Sequence, residues 1–92
     1  MEEVFDWDEE KDAQLKRERG LGFEDILFHI QAGDLLQVAP HPNHEKYPHQ
    51  KIMYVRVDDY VWLVPFVDGK IRFLKTIIPS RRATRELLGK GD

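Results

Sequence analysis

The chain contains no cysteine, which excludes a disulfide framework, an iron–sulfur cluster and a thiol nucleophile, and fits a reducing compartment. Ser80 is its single serine, so no Ser/His/Asp arrangement can be read from it. There is no phosphate-binding glycine loop, because Gly20 and Gly22 in "RGLGFED" read as helix punctuation rather than as a nucleotide cradle. No apolar run approaches the ~18 residues needed to span a bilayer. The first residues, MEEVFDWDEE, are acidic where a signal peptide would be basic and then apolar. A soluble cytoplasmic protein without a membrane partner is expected.

Ninety-two residues, 41% of them apolar, suit a single domain over 1–92 with one core. The net charge of −3 hides a polarity along the chain. Residues 1–25 carry ten acidic and four basic side chains, a balance of −6, whereas residues 70–92 carry seven basic and two acidic, a balance of +5. A basic end attracts phosphate through counterion release, and it can equally pair with the acidic end or with a partner's carboxylates.

The order of elements is legible in part. Asp8 to Arg19 lacks Gly, Pro and β-branched residues and stops at Gly20, which predicts a helix with a narrow apolar stripe. Phe23, Ile26, Leu27 and Ile30 give the spacing of a second helix, with Glu24 and Asp25 in its first turn and Gly33 at its end. Leu35 to Ala39 predicts a short strand, and "PHPNHEKYPHQK" with three prolines a long loop. From Lys51 the period becomes two, with Met53, Val55 and Val57 alternating. Asp58 and Asp59 mark a turn, "YVWLVPFV" a central strand with Pro65 at a bulge or unpaired position, and Asp68-Gly69 a two-residue hairpin. "KIRFLKTII" predicts the last long strand, followed by a helix capped by Ser80. The expectation is an α+β domain: two N-terminal helices, an antiparallel three- to four-stranded sheet and a C-terminal helix, with the helices on one face.

Three groups of residues bear on chemistry. His41, His44 and His49 sit in the proline-rich loop at a spacing that matches no zinc signature, so solvated histidines are expected and no metal. The N-terminal carboxylates Asp6, Asp8, Glu9, Glu10 and Asp12 point in different directions on a helix and read as capping and solvated groups. The basic set comprises Lys11, Arg17, Arg19, Lys51, Arg56, Arg72, Lys75, Arg81, Arg82 and Arg85. Arginine stays a cation that clamps phosphate in a bidentate fashion, so proton transfer in RNA cleavage would fall to Lys, His, Tyr or a carboxylate.

Two motifs in this order resemble the BrnT-type toxins of bacterial toxin–antitoxin operons. In "FDWDEEKDAQLKRERGLGFED" the residues Phe5, Trp7, Asp8, Lys11, Gly20, Phe23 and Glu24 match the family's first pattern. "HPNH" parallels its loop marker, and in "IIPSRRATR" the residues Ile77, Ile78, Arg81, Ala83, Thr84 and Arg85 match its last. Leu15, Arg19 and Thr76 stand where family members usually have Asn, His and Arg. The resemblance implies a RelE-like fold, a cofactor-independent toxin that cuts RNA and inhibits translation, and a DNA-binding antitoxin partner of ribbon-helix-helix or similar type. It implies an RNA-facing site at Lys11 and Arg81; in a ribonuclease reading of the residues Lys75 is a further candidate catalytic cation, and Tyr47, His44 or His49 are candidate acid/base groups from the loop. Arg19, Lys51, Arg72, Arg82 and Arg85 would hold RNA, and Tyr60 and Trp62 would anchor the antitoxin. The alternative is a non-catalytic RNA- or protein-binding module of the same fold.

Overall fold

A computed structural model describes residues 4–89, so the ends of the domain expected over 1–92 lie outside the described residues. Among these, six strands and three helices follow in the order β1 (Val4–Trp7), α1 (Glu9–Arg19), α2 (Phe23–Gln31), β2 (Leu35–Pro40), β3 (Gln50–Val57), β4 (Tyr60–Val67), β5 (Ile71–Leu74), β6 (Ile78–Pro79) and α3 (Arg81–Leu88). This is a compact α+β fold around one mixed sheet.

The sheet corrects the expectation of three or four antiparallel strands. Its order is β1-β5-β4-β3-β2, with β6 also paired to β4. Val4–Trp7, apolar at three of its four residues, is a strand, and it runs parallel to β5, Val4 opposite Ile71 and Trp7 opposite Leu74. Four residues carry too little periodicity to announce a strand, and their partner lies near the other end of the chain.

β5 and β6 are one strand broken by a bulge. Phe66 pairs with Leu74 and Leu63 with Ile78, so residues 75 to 77 span what residues 64 and 65 span in β4. The extra residue lets both Leu74 and Ile77 face the core. Lys75 donates its backbone N–H to the Pro65 carbonyl at 2.8 Å. In an antiparallel strand a residue's N and O point to the same side, so the Pro65 nitrogen, which has no proton to give, faces this gap in the pairing.

Helix ends follow from their residues. The Asp8 carboxylate accepts from the Lys11 N–H at 3.0 Å, and Gly20 closes α1 at φ +68°. Gly22, at the start of α2, has no side chain to cap with. Asp12 supplies the cap from α1: its Oδ1 accepts from the Phe23 N–H at 2.8 Å. Asp12 is buried, its other oxygen lies 3.2 Å from the Lys16 ammonium, and the two helices are thereby fixed at a set approach.

Leu15, Phe23 and Ile26 of the helices meet Met53, Val55, Val64 and Phe66 of the sheet, with Trp7 stacked on Phe23 at 5.5 Å. The helices do not share one face. Tyr54 and Leu63 are paired on the opposite side of the sheet from Met53 and Val64, and there they line a groove with α3. Sequence periodicity could not show this, because α3 is positioned by a bond at the strand edge. The Thr84 hydroxyl accepts from the Val61 N–H at 2.8 Å and donates to the Ser80 carbonyl at 2.7 Å.

Two turns had opposite outcomes. Asp58 and Asp59 have φ of 52° and 65°, as a two-residue hairpin of the primed type requires. Asp68-Gly69 does not make the expected two-residue hairpin: Val67 pairs with Phe73, leaving five residues, 68 to 72, between them. Positive φ occurs at Gly20, Gly33 and Gly89 and not at Gly69. The Asp68 carboxylate shapes this connection instead, accepting from Gly69 N–H at 3.0 Å and from Lys51 Nζ at 2.9 Å.

Trp62 packs against the core, so it is not the exposed partner anchor that the sequence suggested. Its indole N–H is buried without a hydrogen-bond partner. Removing an unsatisfied donor recovers part of what the smaller ring loses, so Trp62→Phe is expected to unfold in urea within about 1 kcal/mol of wild type. A loss of several kcal/mol would show that the N–H is satisfied in solution.

Candidate nucleic-acid interface

Strand β4 serves as a ruler for the site, because the expected functional residues attach along it at three levels. At Val61, the Ser80 N–H bonds the Val61 carbonyl at 3.0 Å and Thr84 takes the Val61 N–H, which sets the start of α3 and Arg81. At Pro65, the backbone bond from Lys75 places that lysine. Beyond Val67, the Asp68 N–H reaches the His49 carbonyl at 2.7 Å, and Gln50 N–H reaches the Tyr47 carbonyl at 3.2 Å. Six residue steps separate Val61 from Val67, about 20 Å of strand. Tyr47 and His49 are thus held at the far end of the sheet from Arg81, and one phosphate cannot touch both.

The loop is internally occupied. Tyr47 packs on His41 at 4.8 Å, Lys46 lies 5.4 Å from the Tyr47 ring, and the His41 Nδ1 accepts from the Asn43 N–H at 2.9 Å. His44 and His49 are exposed. Among the described residues, no group of three His, Asp or Glu side chains gathers to hold a metal ion.

Lys11 is half-buried on α1, whose Leu15 packs with Met53 on the other face of the sheet from α3. The pairing of Trp7 with Leu74 brings the start of α1 and Lys75 to one border. Lys11 and Lys75 are neighbours in this sense, about 13 Å along β4 from the level of Arg81. Arg19 is exposed in the last turn of α1.

Several of the basic residues are neutralised locally. Lys51 lies 2.9 Å and Arg72 3.3 Å from Asp68, with Arg72 also 5.9 Å from the Phe66 ring. Arg56 pairs with Asp34 at 2.8 Å, where His29 Nδ1 also approaches at 3.0 Å. Arg82 pairs with Glu86 one turn on at 3.1 Å, in an exposed geometry of small energetic weight. None of these pairs joins residues 70–89 to the acidic residues 4–25. The two charged ends of the chain do not neutralise each other through them.

Arg81 and Arg85 differ. They stand one turn apart on α3, are exposed, and make no ion pair among the described residues. At 100° per residue, Arg81, Arg85 and Arg82 occupy one 100° arc of the helix, opposite the buried Ala83 and Thr84. Ser80 caps this helix through the Ala83 N–H at 3.0 Å, and its first turn holds no acidic residue. The free N–H dipoles and three guanidinium groups therefore face solvent together.

No known protein family, curated protein or solved structure matches this chain. The likeness to BrnT-type toxins rests on the motif residues, and the structure gives some of them a physical role. Thr84 takes the Val61 N–H and Ala83 is buried beneath α3, while the matching arginines Arg81 and Arg85, like Arg17 and Arg19, make no ion pair among the described residues. Among the described residues, no helix is long and apolar enough to cross a membrane.

The paired carboxylates make a prediction about pH. Asp34 is held below its ordinary value of 3.8 by the hydrogen bond from His29 and then by Arg56. Asp68 is lowered from the same 3.8, chiefly by Lys51, with Arg72 and the Gly69 N–H assisting against partial desolvation. A lowered folded-state value means stability that is complete above 3.8 and is lost as pH falls through the lower value. The urea midpoint is expected to drop in that acidic window, and Asp68→Asn to flatten the drop while lowering stability at pH 7. An unchanged acid profile in Asp68→Asn would contradict this.

Proposed function

We propose that this protein is the toxin of a toxin–antitoxin pair and acts by engaging RNA through α3. The observation that carries the proposal is the pair Arg81 and Arg85, exposed and without carboxylate partners among the described residues beside a cation-rich helix start. Lys51, Arg72 and Arg82, also expected to hold RNA, already have carboxylate partners. Unpaired guanidinium groups on successive turns can each clamp a phosphate in a bidentate fashion and add a salt-sensitive attraction. An antitoxin that silences such a surface would present carboxylates to the same arc.

The alternative, binding without cleavage, is favoured by a separate observation. Tyr47 and His49, expected to transfer protons, attach about 20 Å along β4 from the level of Arg81, and Lys11 lies on the other face of the sheet. A metal-independent ribonuclease built on α3 would draw on the titratable groups that line the groove beside it, Tyr54 and Glu86.

One experiment separates these readings. Purified protein is incubated with labelled single-stranded RNA in EDTA, and binding and integrity are followed together for wild type, Lys11→Ala and Arg81→Ala. Binding with cleavage, both weakened in Arg81→Ala, supports the ribonuclease toxin. Binding with intact RNA supports the non-catalytic reading. No binding at low salt sinks the assignment of α3 to RNA.

A further inference from the structure

The groove between α3 and the sheet holds about 250 Å³ and is lined by Tyr54, Leu63, Ser80, Arg82, Ala83 and Glu86. That is below the roughly 300–1,000 Å³ of sites that enclose drug-sized ligands. It suits one flat ring. Its chemistry is mixed in a particular way. Leu63 and Ala83 give apolar surface, Tyr54 adds an aromatic ring, and Arg82 and Glu86 stand on the helix side. The Tyr54 hydroxyl has no hydrogen-bond partner among the described residues, although the side chain is half-buried. Tyr54 stands directly opposite Leu63 in the β3–β4 pair, so strand pairing rather than a loop holds it.

We propose that this groove takes one unpaired nucleobase of the bound RNA, with Tyr54 as its stacking surface. The inference rests on the assignment of α3 to RNA and adds a substrate class to it: single-stranded RNA, because a paired base cannot leave its stack for the groove at low cost. The geometry joins two requirements of single-strand recognition. Arg81 and Arg85 lie on the solvent arc of α3 next to Arg82, and Arg82 stands at the groove, so a backbone laid along the helix has a base within reach of Tyr54. Aromatic surface beside a cationic track is the arrangement by which bases are held with little dependence on sequence. The free hydroxyl of Tyr54 adds one polar contact to a base edge.

The test is fluorescence anisotropy with a labelled six-nucleotide single-stranded RNA, an abasic oligonucleotide of the same length and a duplex RNA. Wild type, Tyr54→Leu, Tyr54→Phe and Arg81→Ala are compared, with a thermal melt to confirm that each variant is folded. Tyr54→Leu is expected to weaken the single strand about tenfold or more and to leave the abasic strand nearly unchanged. Tyr54→Phe should retain most of the affinity, and the duplex should bind wild type and Tyr54→Leu alike. Arg81→Ala should weaken all three ligands. Folded Tyr54→Leu with full affinity for the single strand overturns the base site and leaves the α3 assignment standing, as does equal binding of abasic and normal strands to wild type. If wild type binds none of the three, both proposals fall.

Discussion

Gly22→Ala is expected to destabilise the protein by about 1–3 kcal/mol, and the loss should vanish when Asp12 is also replaced. The backbone of Gly22 is at φ −114°, which any residue adopts, so the cost is one of space. A Cβ there would come within 2.6 Å of Lys16 Cε and 2.8 Å of Asp12 Oδ1. The lysine methylene can swing into solvent. The carboxylate oxygen cannot move without giving up the Phe23 N–H that it caps, on a residue with 0% exposure. Asp12→Ala alone leaves that buried donor without a partner and is expected to cost a similar amount, offset in part by the better helix propensity of alanine. Urea unfolding of both single variants and the double variant closes the cycle. If the two losses simply add, Gly22 acts independently of Asp12 and the close approach of α1 to α2 is not what requires glycine.

Replacing Arg81 and Arg85 together by alanine is expected to lower RNA affinity roughly 100-fold at low salt. The slope of log affinity against log salt should shrink by about 1.4, two phosphate contacts on a single strand. Stability should stay nearly level, because Arg81 in the first turn of α3 opposes the helix dipole whereas Arg85 in the last turn favours it. That combination distinguishes a lost contact from a damaged fold. Arg82→Ala, which removes a residue already paired with Glu86, should have a smaller effect on the salt slope. His44→Ala and His49→Ala should have none. A double variant that binds like wild type would move the RNA surface off α3. A large effect of the loop histidines would show that RNA spans the whole length of β4.

What could be read from the sequence depended on how local the cause was. The α1 boundaries follow from Asp8 and Gly20, which act within one turn, and both caps are in place. The alternation of Met53, Val55 and Val57 reports its own burial. β1 carries no legible strand signal, since its partner is distant and its four residues are too few for a period. The bulge at residues 75 to 77 is visible only against the register of β4. Asp68-Gly69 carries the strongest short hairpin signal, and the carboxylate of Asp68 overrides it by gathering Lys51 and Arg72 around a wider loop. Trp62 read as a surface aromatic because a strand apolar on both faces does not say which face is covered.

The candidate site divides in the same way. The motif identified Arg81 and Arg85, and the structure leaves both without partners among the described residues. Lys51, Arg72 and Arg82 had equal standing as cations in the sequence. Their carboxylates could be found only for Arg82, whose Glu86 is one turn away. The histidine loop follows β2 closely in the chain yet opens at the opposite end of β4 from α3. Tyr54 looked like one more residue of an alternating strand, and its distinguishing property is a groove formed with a helix that begins 27 residues later.

The parallel pairing of β1 with β5 sets an order on folding. Val4 and Ile71 are 67 residues apart, so the first strand made is among the last that can dock, and loop-closure entropy places its pairing late. Until then Phe5 and Trp7 leave Phe23 and its neighbours uncovered, and the outer edge of β5 remains open to other strands. A chain interrupted before β5 therefore lacks the closing strand pair as well as α3, and the surface assigned to RNA arises only in a molecule that has nearly finished folding.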